Sequence, residues 1–290
     1  MTTTLAPPAP AASEPAARRR SALPALGPGD VAAALVILLL VIAVIAPSLL
    51  ARADPLSAIG GEALSGPSTA HWLGTDYLGR DVYTRIVHGT RTSLGASAVA
   101  VAVGLAGGLA LGILSGYLGG WVDAAVSRLI DILLSVPGLL LSMVIIVALG
   151  FGAVNAAIAV GISSIASFAR VTRSEVLTVR ASSYVEAAQH QGSPRWRTLL
   201  RHILPNAVGP VVSLIPLQFG GSIVWISSLS FLGFGAVPPH PEWGLLVAEG
   251  RQYLLSAPWL LLAPGAVIVI TVLSASHLQG VVGRVRRTSA

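Results

Sequence analysis

The sequence predicts an all-α polytopic membrane protein with six transmembrane helices. Of its 290 residues 54% are hydrophobic and only 10% are charged, whereas a soluble domain carries about 25% charged residues. These few charges leave five uncharged windows, at 31–51, 92–122, 132–169, 202–241 and 252–283. Each window is long enough for a helix to cross a bilayer, which needs about 20 apolar residues. A water-soluble fold is therefore excluded.

The first two spans follow directly from these windows. The first helix is predicted at 31–50, after an Ala- and Pro-rich stretch at 1–30 that cannot build a core and is interpreted as a disordered cytoplasmic tail. The alternative is a signal peptide cleaved near 51–53, but its apolar stretch would exceed the usual length of about 7–15 residues. The second helix is predicted at 93–118, and its many glycines predict close packing against other helices.

The remaining windows give four more helices. The window at 132–169 is too long for one span, and its central glycines divide it into helices at 133–149 and 154–169. The fifth helix is long and is predicted to kink at Pro216. The sixth covers 259–279, so the five helices of the core lie within 93–280, followed by a cytoplasmic tail at 281–290.

The arginines orient these helices. Six spans place both termini on one side, and thirteen of the 18 basic residues, all of them arginine, then lie on that side. The positive-inside rule makes both termini cytoplasmic and the segment 51–92 extracytoplasmic. The net charge of +6 is compatible with nucleic-acid binding, but the arginines are spread along loops between apolar spans. The expected partner is the lipid bilayer and not a nucleic acid.

The predicted spans contain no Asp, Glu, Lys or Arg. Proton-coupled carriers usually place ionisable residues at membrane depth. The chain also lacks lysine and cysteine, which removes a Walker-type phosphate loop and cysteine-based chemistry. No catalytic residue, cofactor or metal site is predicted. Sodium coupling through backbone carbonyls stays open, but the energy for active transport is expected to come from a partner.

Small polar side chains in the fourth and fifth spans are candidates for a translocation path. Their alternative role is hydrogen bonding between helices, the usual role of Ser and Asn in membrane bundles. The candidates are Asn155, Ser163, Ser167, Ser213, Gln218 and Ser222.

The longest cytoplasmic connection, at 170–205, has the pattern of two short helices. Two serines that can cap a helix precede YVEAAQ at 184–189, and Gly192 follows where a left-handed residue would end it. Ser-Pro at 193–194 then starts a second helix that Pro205 limits. Such a pair forms a rigid knob suited to transmitting force. Composition alone favours instead an Arg-rich segment lying on anionic lipid.

This connection carries a resemblance to a known family. Glu186-Ala187-Ala188, followed by Gly192 and by Ile-Leu-Pro ending at Pro205, resembles the EAA loop of permease subunits of ATP-binding-cassette (ABC) importers. The stretch 184–206 is similar to the dipeptide, oligopeptide and nickel class of that family. Three further motifs agree: HWLGTDYLGRDV at 71–82, GGWVD at 119–123 and SLSFLGFG at 228–235. The resemblance extends over nearly all of 31–287.

The resemblance implies the type I ABC importer permease fold in the bacterial cytoplasmic membrane. It further implies a homologous second permease, two ATPase subunits that bind the ATP, and an extracytoplasmic substrate-binding protein. The chain itself would then be a transport subunit for di- or oligopeptides and not an enzyme, with nickel and glutathione as alternative cargoes. A stand-alone secondary carrier and a non-transporting scaffold are the rival classes.

In this family the EAA loop seats in a groove of the ATPase. The resemblance therefore assigns docking and hinge roles to Tyr184, Glu186, Ala187, Ala188, Gly192, Arg195, Trp196, Arg197 and Pro205.

The segment before the second span is predicted to contain an interfacial helix at 75–88. Asp76 is expected to cap this helix, and Asp81 is expected to pair with Arg85 four residues later. These roles disfavour a metal cluster of the two carboxylates with His71. Between the last two spans, Glu242, Trp243 and residues 249–253 are expected to meet the binding protein or the gate.

Overall fold

The computed structural model describes residues 27–58 and 60–289, and within them all regular structure is helical. Most of the predicted N-terminal tail, at 1–26, lies outside the described residues. The helices are α1 (Pro28–Ile45), α2 (Pro47–Leu50), α3 (Val82–Leu118), α4 (Gly120–Ser135), α5 (Gly138–Leu149), α6 (Ala153–Arg180), α7 (Ser183–His190), α8 (Arg195–Thr198), α9 (Leu204–Val212), α10 (Ile215–Phe231), α11 (Trp243–Gly250) and α12 (Trp259–Ser289).

Six spans can be formed from the described helices. Helices α1, α3, α6 and α12 are each long and apolar enough to cross a membrane, and two bent pairs supply the others. The pair α4 and α5 bends by 97° just before Pro137, whereas Arg195–Val212 and Ile215–Phe231 bend by 47°. The second bend lies just before Pro216, in the first turn of α10, where proline disrupts the helical hydrogen bonds. The all-α prediction is confirmed, and six spans result when each bent pair counts as one. The helix predicted at 133–149 is instead divided between α4 and α5, because the chain breaks at Val136 and Pro137.

The centre of the fold is the contact between α3 and α6. A Cβ atom added to Gly108 would lie 2.2 Å from the Cβ of Phe168, and one added to Gly112 would lie 2.5 Å from the Cβ of Thr172. The backbones approach this closely because glycine has no side chain, and such contact drives helix association in lipid. The predicted close packing of the glycine-rich second span is confirmed.

The interfacial helix predicted at 75–88 differs in the structure, where the only helix in this stretch is the start of α3 at Val82. The Asp76 carboxylate accepts hydrogen bonds from two N–H groups of the turn that follows it, and Gly79 in that turn has φ of +78°. Asp81 instead caps α3, because its carboxylate accepts from the Thr84 N–H at 2.7 Å. The helix therefore begins at the next residue and continues through the membrane without a separate interfacial part.

The connection predicted at 170–205 starts later in the structure, because α6 extends to Arg180. Residues 170–180 contain no glycine or proline and remain helical through Arg180. They also pack on α3, where Gly116 allows close approach of Val176. The connection between the fourth and fifth spans is therefore shorter than expected, and its first third is a rigid extension of α6.

Pro205 does not end the second short helix as expected. Residues Leu199–Ile203 form a π-helical turn, closed by a hydrogen bond from the Leu204 N–H to the Leu199 carbonyl. Pro205 has no N–H to donate to an earlier carbonyl, and the wider π-helical turn lets the chain stay helical without that hydrogen bond. The chain therefore continues as α9, and the knob and the fifth span form one nearly continuous helical element.

The two outer helices also differ from expectation at their ends. The first predicted helix, at 31–50, is broken after Ile45 because Pro47 starts the separate short helix α2. The predicted tail at 281–290 is helical through Ser289, as a continuation of α12. The Asp30 carboxylate of α1 lies 2.7 Å from the His277 ring of α12 and links these two helices.

Candidate functional site

Helix α7 is fixed to the membrane helices by a buried side chain. Val185 is fully buried in a cluster with Val176 of α6, Ile203 of the π-helical turn and Ala207 of α9. Burying a valine side chain contributes about 1.5–3 kcal/mol. Helix α7 therefore has a fixed position against the ends of two spans, which a free amphipathic segment on a lipid surface would not have.

Gly192 ends α7 in the left-handed conformation that the sequence predicts. Its φ is +80°, its N–H donates to the Gln189 carbonyl, and the Ser193 N–H donates to the Ala188 carbonyl at 3.1 Å. This is the Schellman motif. A Cβ atom at Gly192 would meet no described atom within 4 Å, so the backbone conformation and not the space favours glycine. Ser182 stands at the N-cap of α7, but its hydroxyl donates back to the preceding helix instead of capping.

Helix α8 is tied to the end of α3 by Tyr117. The Tyr117 hydroxyl donates to the Arg195 carbonyl at 2.6 Å, and the Tyr117 carbonyl accepts from Arg180 Nη1 at 3.0 Å. One residue of α3 thus contacts both the end of α6 and the start of α8. These partners lie 78 and 63 positions away along the chain. The sequence analysis missed them because no local pattern indicates such contacts.

A carboxylate at the start of α4 joins three helices near the same end of the fold. Asp123 accepts two hydrogen bonds from the Arg173 guanidinium of α6, at 2.6 and 2.7 Å. The Ser115 hydroxyl of α3 donates to the same carboxylate. Asp123 is the last residue of the GGWVD motif, so this motif holds α3, α4 and α6 together beside the knob.

The outer side of α7 and α8 is exposed. Trp196 is 62% exposed and Tyr184 is 47% exposed, and the Arg197 guanidinium lies 5.6 Å from the centre of the Trp196 ring. Exposed Trp, Tyr and Arg side chains are enriched at protein interfaces. Of the remaining predicted coupling residues only Ala188 is half-buried, and the exposed ones are Glu186, Ala187, Gly192, Arg195 and Pro205.

Four of the candidate path residues make side-chain hydrogen bonds within the chain, and one of them, Ser213, donates to the Gly209 carbonyl at 3.1 Å. Ser163 and Ser222 are buried, and each hydroxyl donates to a carbonyl of its own helix. Ser163 also lies 2.9 Å from the Ser142 hydroxyl of α5. The Asn155 amide donates to two carbonyls at the end of α5. The contacts of Ser163 and Asn155 cross between helices and support the packing alternative for these two residues, whereas the Ser222 hydrogen bond stays within α10.

Ser213 and the remaining two candidates keep exposed surface. Ser213 is exposed, and Ser167 and Gln218 are half-buried. A role in lining a path stays a prediction for these three.

At the opposite end of α3, three buried charges and the half-buried Glu249 join the segment before α3 to α11. Asp76 Oδ2 accepts from Arg80 Nε and from Arg85 Nη1, each at 2.6 Å. Arg85 Nη1 also donates to Glu249 Oε2 at 2.9 Å. The expected pair of Asp81 with Arg85 is wrong, because the Asp81 carboxylate is engaged by the α3 cap and by a histidine.

That histidine, His71, bridges two carboxylates. Its Nδ1 lies 2.9 Å from Asp81 Oδ1 and its Nε2 lies 2.8 Å from Glu62 Oε2. Both ring nitrogens can donate only in the imidazolium form. The hydrogen bond with Asp81, reinforced by the one with Glu62, raises the pKa of His71 above its ordinary value, although burial opposes this.

Glu242 and Trp243 are buried inside the chain, contrary to the expectation that they meet a partner. The Glu242 carboxylate caps α11 by accepting from the N–H groups of Gly244 and Leu245, at 3.0 and 2.9 Å. The Trp243 indole donates to the Ile86 carbonyl at 3.1 Å. Both side chains therefore hold α11 against α3.

These features define a class of protein, the membrane-spanning subunit of a transporter that is driven by a separate subunit. The candidate spans are long and apolar, and a rigid, exposed knob projects from one end of the bundle. The family described as binding-protein-dependent transport system inner membrane component matches residues 108–287. The chain belongs to this family.

Curated relatives are permease subunits. The chain is 42% identical over 209 residues to the glutathione transport system permease protein GsiD of Pectobacterium atrosepticum, covering 72% of this chain and 69% of the relative. It is 38% identical over 234 residues to the dipeptide transport system permease protein DppC of Alkalihalophilus pseudofirmus, covering 81% and 77%. It is 40% identical over 244 residues to the probable D,D-dipeptide transport system permease protein DdpC of Escherichia coli K12, covering 84% and 82%.

Solved structures share the fold. A chain of the MetNI methionine ABC transporter in inward-facing conformations matches with a TM-score of 0.57 at 19% identity, over 70% of this chain and 96% of that one. A chain of an amino acid ABC transporter matches with a TM-score of 0.55 at 17% identity, over 69% and 93%. The predicted ABC importer permease fold is confirmed. The protein is a multi-pass permease of the bacterial plasma membrane that works with ATPase and substrate-binding partners.

Proposed function

We propose that this permease imports small peptides, forms the translocation path with a homologous second permease, and is driven by two cytoplasmic ATPases through α7 and α8. Peptide cargo is supported by the relatives, whose names refer to dipeptides, D,D-dipeptides and glutathione. All three cargoes contain a peptide bond. Glutathione is the specific alternative, because the relative at 42% identity is named for it.

The main support for the coupling role is that the knob, formed by α7 and α8, is attached to the membrane helices at two places. Helix α7 is attached to α6 and α9 through Val185, and α8 is attached to α3 through the Tyr117 hydroxyl. A displacement of the knob by an ATPase is therefore transmitted to α3 and α6. The glycine contacts between these two helices make them move together, which suits alternation between inward-open and outward-open states.

The proposal places the knob and both termini in the cytoplasm. Its support is the distribution of arginine, with thirteen of 18 on that side. Because the chain has no cysteine, single cysteines test the orientation directly. A cysteine at Ser193 should react with a membrane-impermeant maleimide only after the cells are opened, whereas one at Ser57 should react in intact spheroplasts. The reverse pattern would contradict this orientation.

The coupling role is tested by charge reversal at Glu186 in the complete transporter. Uptake of a radiolabelled dipeptide, and separately of glutathione, should fall to background in Glu186→Arg and in Gly192→Pro at equal membrane levels of the permease. Glu175→Arg is the matched control, because it makes the same charge change on α6 outside α7 and α8, and it should retain uptake.

The same uptake assay distinguishes between the two cargoes and identifies the driving force. Dipeptide uptake that depends on ATP supports the proposal, whereas uptake of glutathione alone selects the alternative cargo. Unchanged uptake in Glu186→Arg would refute the coupling role. Uptake by the purified permease alone under an ion gradient would instead identify a secondary carrier.

A further inference from the structure

Two adjoining cavities lie at the start of α3, and one of them is enclosed by α1, α3 and α12. The deeper one has a volume of about 320 Å³ and is lined by side chains of these three helices and by Leu50 and Leu73. The shallower one has a volume of about 340 Å³ and is formed by residues 50–54, 57 and 70–72 with the start of α3. Leu50 and Tyr83 line both cavities. The two spaces therefore adjoin at these two residues, which gives a deep part and a shallow part.

The deep cavity is apolar and lies at membrane depth. Its two threonines turn their hydroxyls to carbonyls of their own helices, Thr90 to Ile86 at 3.0 Å and Thr271 to Val267 at 2.7 Å. From Tyr83 to Thr90 the helix rises about 10 Å, roughly two thirds of the ~15 Å depth of one leaflet. A hydrocarbon chain fits such a space, whereas a polar solute would find no partner for its hydrogen bonds.

The deep cavity is also open to the side. Ile270 lines it and is 48% exposed, so its rim faces the surroundings of the bundle. A lipid chain can therefore enter laterally from the bilayer without separating the helices.

The shallow cavity has more polar lining than the deep one and carries an available cation. The Arg52 guanidinium lines it and is exposed, and it has no ion-pair or hydrogen-bond partner among residues 27–58 and 60–289. Asp54 lies beside it and uses one carboxylate oxygen to accept from the Leu56 N–H. The other carboxylate of the cavity, Asp81, is already bound by its cap and its histidine.

An aromatic pair marks the boundary between the two parts. Trp72 is 68% exposed, and its ring centre lies 5.2 Å from that of Tyr83. The Tyr83 hydroxyl donates to the Leu50 carbonyl. Tryptophan and tyrosine are enriched where the hydrocarbon core meets the headgroups. The boundary between apolar and polar lining therefore coincides with the expected level of lipid headgroups.

We propose that the two cavities bind one zwitterionic glycerophospholipid of the surrounding leaflet. Arg52 binds the headgroup phosphate, Asp54 accepts a hydrogen bond from the headgroup amine, and one acyl chain occupies the groove between α1, α3 and α12. The Arg52 cation and the Asp54 carboxylate, which both line the shallow cavity, match the phosphate and the amine of such a headgroup. A headgroup without a cation would leave Asp54 beside a second negative charge.

The chain position is tested by photolabelling of the complete transporter in proteoliposomes. The probe is a phosphatidylethanolamine with a diazirine midway along one acyl chain, and labelled peptides are mapped by mass spectrometry. We expect label on α1 between Val36 and Ala43 and on α12 between Val267 and Thr271. Ile270→Trp should fill the groove and reduce this label at least about tenfold, because the acyl chain loses its buried apolar contact. Val269→Trp is the control, since Val269 is 56% exposed but does not line the groove, and it should label normally.

The headgroup position is tested by native mass spectrometry of the same complex with added phosphatidylethanolamine or phosphatidylglycerol. Arg52→Gln should weaken retention of both lipids about tenfold, the size of effect expected for a hydrogen bond to a charged group. Asp54→Asn should remove the preference for phosphatidylethanolamine. Arg251→Gln, an exposed arginine elsewhere in the chain, should change neither.

Three results would overturn the proposal. Equal labelling of Ile270→Trp and Val269→Trp would show that the probe samples only the general lipid surface. Tighter retention of phosphatidylglycerol than of phosphatidylethanolamine would contradict the zwitterionic headgroup. A photocrosslink from position 270 to the second permease would show that protein, and not lipid, covers the groove.

Discussion

Arg85 of α3 and Glu249 of α11 form an ion pair with 2.9 Å between Nη1 and Oε2, at the end of α3 opposite the knob. Arg85 is 1% exposed, and the same Nη1 lies 2.6 Å from Asp76. The pair, together with Asp76, therefore connects three parts of the chain. It holds one end of α3 to α11 while Tyr117 holds the other end to α8.

Breaking this pair from one side should destabilise the protein strongly. Arg85→Leu or Glu249→Leu leaves one unbalanced charge in a network of two arginines and two carboxylates, and the loss of one partner of a buried ion pair costs up to about 3–5 kcal/mol. The double variant Arg85→Leu/Glu249→Leu should lose less than the sum of the two single variants. Thermal unfolding of the purified complex measures all four proteins. Strictly additive losses would show that the two side chains do not interact.

A methyl group at Gly108 should separate α3 from α6. Its Cβ would lie 2.2 Å from the Cβ of Phe168 and 2.9 Å from the Ala169 nitrogen, and overpacking of this kind costs about 1–3 kcal/mol. Gly108→Ala should lower the unfolding temperature and the yield of assembled complex. Gly95→Ala, in the same helix but with no described atom within 4 Å of the new Cβ, should not. Equal behaviour of the two variants would contradict the close contact.

Among variants at position 192, uptake should be higher the better the residue tolerates a positive φ. Alanine at φ of +80° costs about 1–2 kcal/mol, and asparagine tolerates this conformation better. Uptake should therefore fall in the order glycine, asparagine, alanine, proline at equal membrane levels. Limited proteolysis between α7 and α8 should increase in the same order. Equal values for asparagine and alanine would show that the left-handed turn does not matter.

His71 should stabilise the folded protein on the acidic side of neutrality. Because the pKa of His71 is raised in the folded state, its contribution is complete below the ordinary value near 6.5 and is lost as the pH rises through the raised folded value. The unfolding temperature of wild type minus that of His71→Gln should be largest below pH 6.5 and shrink at higher pH. The exposed His240 gives the control His240→Gln. A difference that grows with pH would contradict the imidazolium bridge.

The number of spans and the turn at Gly192 could be predicted from the sequence because their causes are local. A span requires an uncharged apolar window, and a left-handed helix end requires a residue that tolerates positive φ. The EAA pattern with its glycine and proline spacing placed the knob for the same reason. These features depend on neighbours within one or two helical turns, so the chain needs no tertiary contacts to specify them.

The contacts that hold the knob, the role of the small polar residues and the boundaries of α3 and α6 depended on the tertiary structure. Arg180 and Arg195 meet Tyr117 across more than 60 positions, and Arg85 pairs with Glu249 across 164, although Asp81 lies only four residues from Arg85. Ser163 and Ser213 are the same residue type, yet one is buried and the other exposed. The physical reason is that hydrogen bonds and burial are decided by which helices pack together, and residue spacing within one helix does not contain that information.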